Sequence, residues 1–74
     1  MNNKINIVFE KDDYGYYVYA PELPGCHSQG DTFEEASLNI REAVMLYLET
    51  IPNEELKELL SKEIFTTSME VQIA

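Results

Sequence analysis

Cys26 and His27 stand side by side, a thiol next to an imidazole, the pairing from which a cysteine nucleophile and its base are built. Adjacent residues on an extended segment leave opposite faces, so these two cannot readily hydrogen-bond to one another. The reading that follows is a small buried cysteine beside a surface histidine. Two such groups cannot complete a metal site, and a lone cysteine cannot form an internal disulfide. Carboxylates are numerous but do not converge. Asp12 and Asp13 are adjacent in a turn, where aspartates cap backbone amides. Glu34, Glu35 and Glu42 fall at the start or on the polar side of a helical pattern; Glu54, Glu55, Glu58 and Glu63 lie on the solvent side of a second. Gly15, Gly25 and Gly30 form no phosphate-loop or dinucleotide pattern. No catalytic, cofactor-binding or metal-ligating residue is expected, and no cofactor. Any function should lie in binding a partner.

The elements that would position a binding surface are clearer. Ile5 to Glu10 alternates, with Ile5, Ile7 and Phe9 on one side and Asn6, Val8 and Glu10 on the other, which reads as a half-buried strand. Lys11 to Gly15 supplies a turn. Tyr16 to Ala20 makes the second strand of a hairpin, with Tyr16, Val18 and Ala20 on one face and Tyr17 and Tyr19 on the other. Pro21 and Pro24 remove two backbone donors and end regular pairing or confine it to an edge. Cys26 to Gln29 is a weakly patterned third strand. Thr32 followed by Glu35 is a capping box, and Asp31 and Glu34 add negative charge at the positive end of the helix dipole.

From Phe33 the apolar positions Ala36, Ile40, Ala43, Val44, Tyr47, Leu48 and Ile51 recur at threes and fours, one face of an amphipathic helix that stops before Pro52. Leu38, Met45 and Leu46 lie off that stripe, so either the buried face is wide or another subunit covers a second surface. Asn53 to Glu63 patterns a short second helix. Ser68 to Ala74 alternates Met69, Val71 and Ile73 against Glu70 and Gln72 and is expected to be a last strand.

The order β-β-β-α-(α)-β predicts an α+β fold, a small antiparallel sheet with helices on one face. Packing Ile5, Ile7, Phe9, Tyr16 and Val18 against the long helix leaves Val8, Tyr17 and Tyr19 on the open face. Two tyrosines and a valine there exceed what solubility needs, and aromatics are enriched at interfaces. The candidate partner-binding residues are Val8, Glu10, Tyr17, Tyr19 and Glu22.

Seventy-four residues make one domain, 1–74, near the size at which a single core holds without staples. A homo-oligomer, dimer or higher, or a bound partner is the expected source of extra stability. Fourteen acidic residues against five basic ones leave a net charge of −9. Phosphate backbones would repel such a surface, so direct nucleic-acid binding is not expected. The same charge suits a basic protein partner, although it also serves solubility alone. The N-terminus has no long apolar run, so neither a signal peptide nor a membrane span is expected, and the chain should be cytoplasmic.

The hairpin Phe9-x-x-Asp12-x-x-Gly15-Tyr16, then Pro21-Glu22-Leu23-Pro24-Gly25-Cys26 and Gly30-Asp31-Thr32-Phe33-Glu34-Glu35-Ala36, resembles the HicB antitoxin family. The likeness covers Ile5 to about Glu49. It implies a partial ribonuclease-H-like fold whose final strand lies beside the first. It also implies a binding function: HicB proteins neutralise HicA, a small basic toxin that cleaves RNA, by covering its active surface. Pro21, Leu23, Pro24, Gly25, Gly30, Thr32, Glu35 and Ala36 read as fold-forming positions and are not carried over as contacts. Family members often continue into a C-terminal DNA-binding domain, which this chain is expected to lack, so operator binding is not carried over. A ribonuclease-H-type centre would need gathered carboxylates; with Ile5, Ile7 and Phe9 inward, none is expected. The alternative is a solitary HicB-like domain without a toxin, acting as a self-associating scaffold or regulatory binder.

Overall fold

The computed structural model describes residues 4–73. Strands β1 (Val8–Asp12), β2 (Gly15–Tyr19) and β3 (His27–Gly30) precede helices α1 (Phe33–Thr50) and α2 (Asn53–Leu60). The strands form one antiparallel sheet in the order β1-β2-β3. The α+β architecture read from the sequence is the one observed.

The hairpin turns through Asp13 and Tyr14, where the Asp12 carboxylate accepts the Tyr14 amide at 2.8 Å. Its first strand begins three residues later than the alternation suggests, at Val8, and runs on to Asp12. Ile5 still packs against the core, so the inward side of the lead-in is as expected even though its backbone does not pair.

The connection from β2 to β3 is two successive turns. Leu23 donates to the Ala20 carbonyl and Cys26 to the Leu23 carbonyl, and Ala20 closes the loop by donating to Cys26, each at 3.0 Å. Pro21 and Pro24 therefore each occupy the second position of a turn, where a fixed φ helps and no amide is needed. Gly25 follows Pro24 with φ +78°, the left-handed step that a type II turn places there. This loop folds inward. Leu23 and Cys26 join Val18, Ala20, Ala36 and Ile40 as the buried apolar core.

Thr32 caps α1, its hydroxyl accepting the Glu35 amide at 3.1 Å. Gly30 then becomes critical: a Cβ there would lie 2.5 Å from the Ala36 nitrogen, so only glycine lets β3 run this close to the helix. Asn39 fixes the same contact by donating to the Gln29 carbonyl at 2.8 Å. The helix ends at Thr50, ahead of Pro52, and α2 lays Leu56 and Leu59 against the core.

Three expectations are corrected. The third strand runs over His27–Gly30 rather than Cys26 to Gln29. The second helix stops at Leu60 rather than Glu63. The expected last strand is not formed: residues 68–73 pair with nothing among the described residues, and Ala74 lies outside them. Alternation marks the two faces of a strand but does not bring the segment to an edge of the sheet. Leu38, Met45 and Leu46 are exposed, so the buried face of α1 is not wide.

Candidate protein-interaction face

The strand register decides which residues share the sheet face away from α1. Val8 pairs with Tyr19 and Glu10 with Tyr17; on the other side of β2, Tyr17 pairs with Gln29 and Tyr19 with His27. Side chains at paired positions point the same way, so Val8, Glu10, Tyr17, Tyr19, His27 and Gln29 form one surface. Tyr17 is the centre of its aromatic row, with ring centroids 5.7 Å from Tyr19 and 5.7 Å from His27, both tilted by about a third of a right angle (34° and 35°). Such offset contacts hold the rings in place before any partner arrives. Tyr17 remains 42% exposed, which is ample area for a contact.

Four of the five candidates, Val8, Glu10, Tyr17 and Tyr19, are brought together here. Glu22 is not. Its side chain is 4% exposed, and its carboxylate accepts the Asn6 backbone amide at 3.1 Å and the Asn6 side-chain amide at 2.8 Å. It anchors the lead-in of β1 to the β2–β3 loop. His27 and Gln29 were not assigned to the face from the sequence, because β3 is too short to display an alternation. The signal that could have found them is their offset from Tyr19 across a tight connection.

At the Gly15–Gly30 end the face opens into a groove of about 430 Å³ lined by Asp12, Asp31, Glu35, Tyr16, Tyr17 and Asn39. Three carboxylates beside three tyrosines, Tyr14 with Tyr16 and Tyr17, make this rim suited to cationic side chains. Among the described residues no group of three or more His, Cys, Asp or Glu is placed to hold a metal.

Cys26 and His27 separate as their adjacency on extended backbone requires. The thiol is buried and burial pushes its pKa up, which disfavours the reactive thiolate; the imidazole lies on the opposite, open face against Tyr17. The pair cannot work as nucleophile and base. No described helix is long and apolar enough to cross a membrane.

A family model described as a HicB-like antitoxin of bacterial toxin–antitoxin systems matches residues 5–72. A UPF0150 protein of Helicobacter pylori is 44% identical over 70 residues, covering 95% of this chain and 97% of that protein. A UPF0150 protein of Archaeoglobus fulgidus is 44% identical over 62 residues, covering 82% and 90%. A third, from Synechocystis, is 56% identical over 46 residues, covering 61% and 58%. No solved structure matches the chain.

Proposed function

The chain belongs to the HicB-like antitoxin family, and from that premise we propose that it binds a basic, RNA-cleaving toxin of the HicA type and occludes its working surface. The observation that carries this reading is the sheet face with Tyr17, Tyr19 and His27 in contact, flanked by Val8 and Glu10 and left open by every described element. Rigid tyrosines give large contact area at low entropic cost, the usual anchor of an interface.

Charge supports the same partner. A net charge of −9 and the carboxylate-lined rim would steer a basic protein toward this end of the molecule. The action is steric and electrostatic, with no reaction carried out by this chain, and it would take place in the cytoplasm. Calorimetric titration with the basic product of the neighbouring gene tests it: tight binding that weakens when Tyr17 and Tyr19 are truncated is expected. Absence of binding to any such product would favour the second reading, a self-associating HicB-like binder, for which the uncovered apolar residues of α1 and of the C-terminal segment speak.

A further inference from the structure

The open sheet face is ordered in rungs, because residues paired across β1, β2 and β3 stand side by side. One rung is Val8, Tyr19 and His27; the next is Glu10, Tyr17 and Gln29. The first offers apolar and aromatic area. The second sets a carboxylate, a phenol ring and a carboxamide in one row, with opposed Cβ atoms about 4.5–5.5 Å apart. Every side chain of this second rung is exposed.

That row has a definite chemical complement. The Tyr17 ring is flat with a negative face, and Glu10 and Gln29 flank it with a charged and a neutral oxygen acceptor. A guanidinium is planar, so it can lie on the ring while its in-plane N–H groups donate to either side. An ammonium is a compact, strongly hydrated point charge and cannot cover the ring and reach both acceptors at once.

The chain's own cations do not fill this position. Among the described residues the contact of a cation with a ring is Lys11 over Tyr16, at 6.0 Å. Lys11, Tyr16 and Gly30 form the neighbouring rung, one residue along each strand and therefore on the helix side of the sheet. Tyr17 is braced by Tyr19 and His27, both from the first rung, and 42% of it stays exposed. A net charge of −9 draws a basic chain toward it.

Resting on the reading of a basic protein partner, we propose that the second rung is an arginine-recognition site. The guanidinium of one arginine of that partner stacks on Tyr17, pairs with the Glu10 carboxylate and donates to the Gln29 side-chain oxygen. Val8, Tyr19 and His27 take the surface beside it. Tyr17 and Glu10 thereby select arginine over lysine, a discrimination that net charge alone cannot make.

Two probes of equal length and charge, nona-arginine and nona-lysine, test the selection without any toxin. Fluorescence anisotropy at physiological salt should show the arginine peptide binding about tenfold more tightly. Tyr17→Leu and Glu10→Gln should each remove most of that preference, whereas Tyr17→Phe keeps the ring and should retain it. Melting curves of the variants should match the parent, since both side chains are exposed. Equal affinity for the two peptides, or a preference that survives in both Tyr17→Leu and Glu10→Gln, overturns the proposal. In the complex with the basic product of the neighbouring gene, each partner arginine is changed in turn to lysine. One such change should weaken binding about tenfold against the parent chain and hardly at all against Glu10→Gln. If the partner binds and none of its arginines couples to Glu10, the arginine site is overturned and the toxin reading stands. If the partner does not bind while the peptide preference follows Tyr17 and Glu10, the toxin reading fails and the arginine site stands.

Discussion

The Glu22 carboxylate holds Asn6 through both its backbone and its side-chain amide, across sixteen residues of sequence. Both oxygens are used in a nearly buried position, so this is a structural clamp between the start of the hairpin and the loop that ends it. Hydrogen bonds to a charged group contribute about 1.5–3 kcal/mol each, more than neutral ones. Glu22→Ala should therefore destabilise the fold by at least about 2 kcal/mol and lower the melting temperature by roughly 10 °C or more. Thermal unfolding followed by circular dichroism checks it. Glu22→Ala that melts like the parent would remove the clamp from the account.

Gly25 and Gly30 should respond differently to alanine. At Gly25 nothing lies within 4 Å of an added Cβ, so the cost is that of left-handed backbone, about 1–2 kcal/mol. At Gly30 the added carbon meets the Ala36 backbone at 2.5 Å, and β3 must move off α1. Gly30→Ala should cost at least about 3 kcal/mol, at the upper end of overpacking penalties. Urea denaturation of the two variants should rank them in that order.

Tyr17→Ala with Tyr19→Ala should weaken toxin binding by roughly a hundredfold or more, as loss of two interface aromatics does. The fold should survive, because Val18 and Ala20 hold β2 from the other side. Calorimetry paired with a melting curve separates the two effects: equal affinity with an equal melting curve would take this face out of the interface.

If the acidic rim steers the partner, the association rate should fall by about tenfold or more from low to physiological salt while dissociation changes little. Stopped-flow mixing over an ionic-strength series measures this. A salt-independent association rate would place the charge outside the encounter.

Burial raises the Cys26 pKa, so the folded chain holds the thiol proton more tightly than the unfolded chain. That contribution is fully present below the unfolded thiol value of about 8.5 and is lost as pH rises through the folded value. Wild type should lose stability relative to Cys26→Ala between neutral and alkaline pH, and native Cys26 should react slowly with iodoacetamide at neutral pH. Denaturant titrations at several pH values check the first, and mass spectrometry of the alkylated protein the second.

Much of the positioning was legible because it is local. The alternation of Tyr16 to Ala20 settles that Val18 and Ala20 face inward while Tyr17 and Tyr19 face out. Thr32 and Pro52 bracket α1 because one supplies an acceptor for an orphan amide and the other forbids the next helical residue. The buried thiol and outward imidazole follow from adjacency on extended backbone.

What the sequence by itself determined, then, is the type of each main element, the two faces of the hairpin and the family carried by Pro21 to Ala36. Only the tertiary structure decided the rest. Glu22 lies inside because Asn6 reaches it from sixteen residues away, and no local pattern encodes such a partner. His27 and Gln29 join the tyrosine face because β3 pairs with β2 in one particular register. Residues 68–73 carry the alternation of a strand and remain unpaired among the described residues, because alternation specifies the faces of a strand while the path of the chain after α2 decides whether the segment reaches a sheet edge.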